Sequence, residues 1–408
     1  MDGDRISRNS VSVPELPPCI ISLPMLDFGS ITEKVHNSNR LSFEDGVELY
    51  RSNDIVALGR LANHVRERLN GNLAYYNVNR HINYTNVCVI DCQLCQGAYA
   101  RKPGQEGGYT MQLEQVFHFA EQEYTDSLTE CHIVGGLNPE LPFDYYLDLL
   151  RGLKQRFPSV HLKAFTMVEL DFFTKITRKS LEWVIEQLRE AGMGSCPGGG
   201  AEIFAERARP LIAGHKISGQ RWLEVARTVH KMGIRSNATM LYGHIETLEE
   251  RVDHVVRLRE LQDETGGFNC FIPLAFHPEH TVYAHLPVTT GMDDLKTIAV
   301  SRLMLDNFPH IKAYWVTLTP SLAQVALRFG ADDLDGTIIE ERIIHGAGTP
   351  TSPGMTRAQI EKLIRDAGRI PVERDTLYNP VQTGGTRGQA QGSYASFPPP
   401  LTSSQTNA

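Results

Sequence analysis

The sequence predicts an α/β chain folded as a (β/α)8 TIM-type barrel, complete or nearly complete, with a helical extension before it and a disordered tail after it. Three observations carry that reading. Short β-rich segments alternate with longer amphipathic ones eight times, and such alternation gives parallel strands joined by right-handed crossovers. The 408 residues are too many for an average domain but suit one large barrel with extensions. A hydrophobic fraction of 41% against 22% charged residues supports a sizeable core and excludes global disorder.

The elements follow in chain order. Residues 1–40 carry Pro14, Pro17, Pro18 and Pro24 with few periodic apolar positions, and read as an irregular arm. Residues 41–75 read as a helical extension. Ser42 with Asp45 three places on has the form of a helix cap. Val47, Ile55, Leu58, Leu61, Ala62, Val65 and Leu69 then recur at helical spacing until Gly71. The barrel is expected over 76–379. Its strands are expected at 78–85, 131–134, 160–165, 192–195, 236–241, 271–276, 313–317 and 336–339. Its helices are expected at 112–122, 143–157, 181–191, 221–232, 248–265, 293–307, 321–329 and 356–367, with stops at Phe157-Pro158 and Met232-Gly233. Residues 380–408 are Gly, Ser, Gln and Pro with almost no aliphatics, too little apolar surface to offset the entropy of ordering, and are expected to be disordered.

Charge narrows the function classes. Lys plus Arg is 40 and Asp plus Glu is 48, a net −8, which weighs against a nucleic-acid partner. No apolar run approaches the ~20 residues that span a bilayer, so no membrane span is expected. The opening MDGDRISRNS lacks a basic-then-apolar signal pattern, so a cytoplasmic protein is expected.

The seven cysteines are Cys19, Cys88, Cys92, Cys95, Cys131, Cys196 and Cys270. Three fall within eight residues in a CxxxCxxC loop that follows the first strand and precedes the first barrel helix. Iron–sulfur clusters are held by cysteine thiolates, usually four. Three thiolates wrap three corners of a 4Fe-4S cubane and leave one iron open. S-adenosylmethionine chelates such an iron through its amine and carboxylate, and one electron then cleaves its sulfonium bond. The competing reading is a zinc-binding interaction protein. Structural zinc wants four ligands. His81 is close in sequence, but there is no second cysteine pair.

Further segments surround this loop. They are RHINYTNVC over 80–88, HIVGGLNP over 132–139, PGGGAEIF over 197–204, YGHIE over 242–246 and PLAFHP over 273–278. The series resembles the radical S-adenosylmethionine superfamily. Within it, it resembles the group containing aminodeoxyfutalosine synthases, dehypoxanthine futalosine cyclases and deazaflavin synthase subunits. The stretches FIPLAFHP, DNFPHIKAYWV and GADDLDGTIIEE look most similar to the aminodeoxyfutalosine synthases. The resemblance runs from about residue 45 to 379.

That resemblance implies one 4Fe-4S cluster on Cys88, Cys92 and Cys95, with S-adenosylmethionine as a consumed co-substrate. It implies that a 5′-deoxyadenosyl radical adds to the enol ether of 3-[(1-carboxyvinyl)oxy]benzoate. The ether then migrates, a carboxyl group is lost, and 6-amino-6-deoxyfutalosine results, an intermediate of menaquinone synthesis. A sister enzyme would abstract hydrogen instead. A flavodoxin or ferredoxin is the reducing partner implied. The loop departs from the usual pattern: Leu94 stands where an aromatic residue usually precedes the third cysteine, and Gln96-Gly97 where this branch usually has Ala-Phe.

Each candidate side chain carries a functional and a plain structural reading. Gly135 and Gly136 let backbone approach the methionine amine, or simply form a strand-to-helix turn. Leu137 follows them where an acid is usual. Leu94 offers the adenine an apolar face. Glu169 holds the sugar or amine, or is an acid favoured at a helix start. Gly198, Gly199 and Gly200 present backbone amides to an anion or ribose, or form a connector. Alternation sends one of Arg80 and His81 toward the barrel axis and the other away. A barrel-facing Arg80 would suit the substrate's carboxylates; the plain reading is a buried, paired arginine. His244, Glu246 and His277 orient the benzoate or handle a proton, or are satisfied loop residues.

Overall fold

The computed structural model describes residues 28–95, 98–122, 127–338, 342–352 and 354–381. Strands β1 (Leu73–Asn77) and β2 (Asn79–Ile82) form one line interrupted at Val78. They are followed by β3 (Glu130–Ile133), β4 (His161–Ala164), β5 (Ser195–Cys196), β6 (Arg235–Tyr242), β7 (Phe268–Ala275), β8 (His310–Ile311), β9 (Asp333–Gly336) and β10 (Ile370–Glu373).

Strands β2 to β8 pair in sequence order, every pair parallel. The ring then closes. A parallel bridge between Lys312 and Asp333 joins β8 to β9, and β9 pairs parallel with β1 through Tyr75↔Asp333 and Asn77↔Gly336. Thr337 carries the seam up to β2, its hydroxyl accepting from Asn79 N at 3.2 Å. Counting β1 and β2 as one, eight positions surround the axis, as a (β/α)8 barrel requires. The remaining strand, β10, pairs with β1 outside this ring, Leu73 opposite Ile370.

The helices at Leu181–Ala191 and Leu248–Thr265 stand where their apolar spacing predicts. Four expectations are corrected. The arm read as irregular to residue 40 holds a helix at Gly29–His36, whose Ile31 and Val35, one turn apart, are buried. The extension is two helices, Phe43–Arg51 and Ile55–Asn70, because Asp54 caps the second by accepting from Ala57 N at 2.9 Å. The Ser42–Asp45 cap and the Gly71 stop (φ 56°) are present, and β1 begins within the expected extension at Leu73.

The seventh strand is not 313–317. Strand β8 ends at Ile311, and Trp315–Leu318 is a helical turn whose indole is fully buried and donates to Gly336 O at 3.0 Å. A β-branched, aromatic composition here serves core filling rather than a strand. The eighth strand lies at Asp333–Gly336 rather than 336–339; residue 339 is outside the described residues. Its acidic run is strand-like only because cations meet the carboxylates. Arg302 reaches Asp332 at 2.9 Å, Arg374 reaches Asp333 at 2.5 Å and Lys312 reaches Asp335 at 2.9 Å. The expected disordered tail from residue 380 lies outside the described residues except for 380 and 381. Among the described residues no helix is long and apolar enough to cross a membrane.

Candidate cofactor and active site

Loops at the carboxyl ends of the strands enclose a cavity of about 320 Å³. Such loops carry the chemistry of this architecture. Cys88, Cys92 and Cys95, on the loop after β2, all line it. Their loop is fixed at several points. Cys88 N donates to Arg101 O at 2.8 Å, Val89 N to Leu137 O at 3.1 Å and Leu94 N to Ile212 O at 3.3 Å. Gly136 lies so close beneath it that a Cβ there would sit 2.2 Å from Val87 O. Gly214 packs from the other side at φ 52°, where a Cβ would meet Asp91 O.

The electrostatics favour a thiolate at Cys92, while its partner Cys95, the donor of their shared hydrogen bond, is pushed well above the ordinary thiol range by that bond and by burial. A hydrogen bond from the Cys95 thiol draws Cys92 below the usual thiol range; burial opposes this, and the Lys216 ammonium adds to it. Lys216 lines the cavity and pairs with Glu202 at 2.7 Å. Burial works against its charge, but Cys92 and Glu202 hold it protonated well above the ordinary range. Three thiols on one cavity wall beside a buried cation suit an anionic cluster. Among the described residues no three His, Cys, Asp or Glu side chains converge as a single ion requires; a cubane spreads its cysteines over different irons.

The loops after β3, β4 and β5 complete the wall. Glu169 lines the cavity and stands as the plain reading has it, an acid at a helix start. It closes a capping box with Thr166 at the start of the Met167–Thr177 helix. It also accepts from Tyr84 Oη at 2.8 Å and Gly135 N at 3.1 Å, which places the Gly135 backbone. Burial raises its carboxyl above the ordinary value despite those donors. Leu94 is buried and lines the cavity; Gln96 and Gly97 lie outside the described residues. Gly198, Gly199 and Gly200 also line it. Their carbonyls accept from Thr239 Oγ1, Trp222 Nε1 and Arg209 respectively. Gly198 has no room for a side chain, since a Cβ would lie 2.8 Å from the Asn237 and Ala238 backbone.

The strand residues divide. His81 faces the cavity, its ring stacked on His132 at 4.4 Å. Arg80 points the other way, against the expectation that it would meet substrate carboxylates. Its guanidinium lies 4.4 Å over the Phe119 ring and donates to Gln122 O, tying the first barrel helix to β2. His244 and Glu246 are also away from the cavity lining. His244 Nε2 donates to Leu241 O at 3.1 Å, and Nδ1 lies 2.8 Å from Glu246. Glu246 accepts from Gly243 N and from Arg251 Nε, which with His244 outweigh its burial and lower it to about 2. This is a loop clamp, not a substrate contact. His277 does line the cavity and donates from Nε2 to Thr317 O at 3.0 Å.

The sequence reading passed over several lining residues: Lys163, Lys216, Lys312, Asp335 and His132. A signal existed for two of them. Lys163 stands inside the expected strand over 160–165, and Lys312 one place before the expected strand over 313–317, each with an aliphatic residue before it and an alanine after it.

A closed parallel barrel with three cysteines on the loop after its first strand line, facing a cavity, defines a radical S-adenosylmethionine enzyme. The comparisons agree. The chain matches the radical SAM superfamily over residues 82–258 and the CofH/MqnC C-terminal region over 265–385. It is 53% identical to an aminodeoxyfutalosine synthase of Thermus thermophilus over 86% of this chain and 95% of that one. Identity to the aminodeoxyfutalosine synthase of Streptomyces coelicolor is 46%, over 85% and 92%. It is 37% to a cyclic dehypoxanthine futalosine synthase of Halalkalibacterium halodurans, over 88% and 96%. Among solved structures, methylornithine synthase superposes with a TM-score of 0.64 at 15% identity, over 84% of this chain and 97% of that one. The chain belongs to the radical SAM superfamily. As a member it uses a 4Fe-4S cluster and S-adenosylmethionine.

Proposed function

We propose that the chain carries out the aminodeoxyfutalosine synthase reaction. The adenosyl group of S-adenosylmethionine joins 3-[(1-carboxyvinyl)oxy]benzoate, the ether linkage migrates, and a carboxyl group leaves, giving 6-amino-6-deoxyfutalosine and methionine. The observation that carries this is the 53% identity across 95% of a synthase of that name, against 37% to the cyclase sister. Cys88, Cys92 and Cys95 would hold the cluster, which when bound would supply the electron for reductive cleavage of the sulfonium bond.

The chain's own residues then have positioning work. Gly135 and Gly136 bring backbone to the methionine amine, with Glu169 fixing the first of them. Leu94 covers the adenine, and the Gly198–Gly200 backbone takes the ribose. Val134, Leu241, Ile272 and Leu274 form an apolar wall for the aromatic ring and keep water from it. His81 and His277 face that space. The reductant is a flavodoxin or ferredoxin, and the protein works in the cytoplasm.

The test is anaerobic reconstitution, then incubation with dithionite, S-adenosylmethionine and the enolpyruvyl benzoate. The expected result is the decarboxylated adduct. Release of 5′-deoxyadenosine alone would point to a hydrogen-abstracting sister, the second reading, which the 37% relative keeps in view.

A further inference from the structure

We propose that Lys163 and Lys312 anchor the ring carboxylate of the aromatic acceptor; this rests on the reaction proposed above. The two lysines come from β4 and from the residue after β8, four places apart in the ring of eight and so on opposite sides of the axis. Both line the cavity, at 3% and 1% exposure. They lie at the level of the strands, below the cysteine loop. The register places Lys163 in one row with His132 and His81.

Each ammonium has three donors; among the described residues Lys163 pairs with Glu130 at 2.6 Å and Lys312 with Asp335 at 2.9 Å, with Asp333 also acting on Lys312. Of those two carboxylates only Asp335 lines the cavity. Glu130 stands two residues before His132 on β3, one layer deeper. At the cavity floor, then, the two ammonium groups and Asp335 are what a ligand meets, while Glu130 meets Lys163 from behind, and each ammonium keeps donors to spare. Barrel interiors are ordinarily filled with branched apolar side chains, and buried ion pairs are seldom better than such residues for stability. Two lysines at this level are better explained by an anion that they receive.

The substrate's chemistry says which anion. The enol ether must lie near the cysteine end, where the adenosyl group is delivered, and the carboxyl group beside it is the one lost. The carboxylate on the ring takes no part in bond making and remains in the product. It stands meta to the ether, two ring carbons from the reacting end. Binding energy from a part that does not react is the means of holding one that does.

The experiment compares 3-[(1-carboxyvinyl)oxy]benzoate with its analogue lacking the ring carboxylate, (1-carboxyvinyl)oxybenzene. The reconstituted wild type should prefer the former in kcat/KM by on the order of a hundredfold. No preference overturns the proposal and needs no variant. Lys163→Met with Glu130→Gln, and Lys312→Met with Asp335→Asn, remove each cation without stranding its partner. Each pair should reduce the preference to within a few-fold, chiefly through KM. A preference that persists in both overturns the assignment, as does an equal loss with both acceptors. If the wild type gives no adduct at all, the reaction reading fails instead. Calorimetric titration with plain benzoate still reads the lysines: weaker binding in the paired variants supports them, equal binding overturns them.

Discussion

At the scale of single residues, the cysteine loop depends on backbone contacts that leave no space. Cys92→Ala removes a thiolate from a loop rather than from the strand core, so it should abolish turnover while the thermal melting curve stays near wild type. Gly136→Ala tests the loop's seat. The added methyl would meet Val87 O at 2.2 Å and Cys88 Cβ at 3.1 Å, and backbone cannot yield as a flexible side chain does. The cysteine loop must shift, so iron per chain after reconstitution should fall severalfold and turnover at least a hundredfold. Retention of full iron content and turnover would show that the close packing is incidental. The three cysteines were legible because spacing alone names them. The facing of Arg80 and His81 was not. Alternation states that they diverge, but which one meets the axis depends on where the strand line breaks, at Val78, and on Phe119 and Gln122 waiting outside for a guanidinium.

At the scale of elements, the turn after β6 is a self-contained electrostatic clamp. Glu246 is lowered from 4.5 to about 2 by His244, Arg251 and the Gly243 amide, against its burial. A depressed carboxyl stabilises the fold above its unfolded pKa, and that stabilisation is lost as pH falls through the folded value. The window here runs from about pH 4.5 down to 2, and the amount is about 3 kcal/mol. Glu246→Gln should therefore be less stable than wild type by roughly that much at pH 7 in urea unfolding. The gap should narrow steadily between pH 4.5 and 2; a gap independent of pH would mean that packing, not charge, holds the turn. The sequence offered His244 and Glu246 as site residues because they follow a barrel strand, but position after a strand does not say which way a side chain turns. The Met167–Thr177 helix was missed for another reason. Residues 167 to 173 are all buried, so no apolar–polar period marks it. The Leu248–Thr265 helix was legible from its apolar spacing, and the structure adds a Thr247 cap and a Gly266 stop at its ends.

At the scale of the whole molecule, the barrel is closed by its chain ends. The Ile55–Asn70 helix packs on the Gly291–Met304 helix across the seam. Arg369, just before β10, reaches back to Glu67 at 2.7 Å. Arg374, just after β10, is buried beside β9 and supplies the cation for Asp333 at 2.5 Å. Burial weighs against the Arg374 charge, but Asp333 overrides it and holds the guanidinium well above its ordinary range. This seam joins residues some three hundred positions apart, which local patterning cannot announce. A chain ended after Gly368 would lose β10 and take from Asp333 its guanidinium partner, leaving only the Lys312 ammonium that Asp335 already engages; breaking such a buried pair costs about 3–5 kcal/mol before any lost packing. That is a large part of the 5–15 kcal/mol that holds a typical domain. Such a chain should lack a cooperative melting transition by circular dichroism. A chain ended after Val381 keeps every strand of both sheets and both cations of the seam, and should melt within a few degrees of the full-length protein. Cooperative melting of the shorter chain would show that the helices alone close the ring and that Arg374 is dispensable.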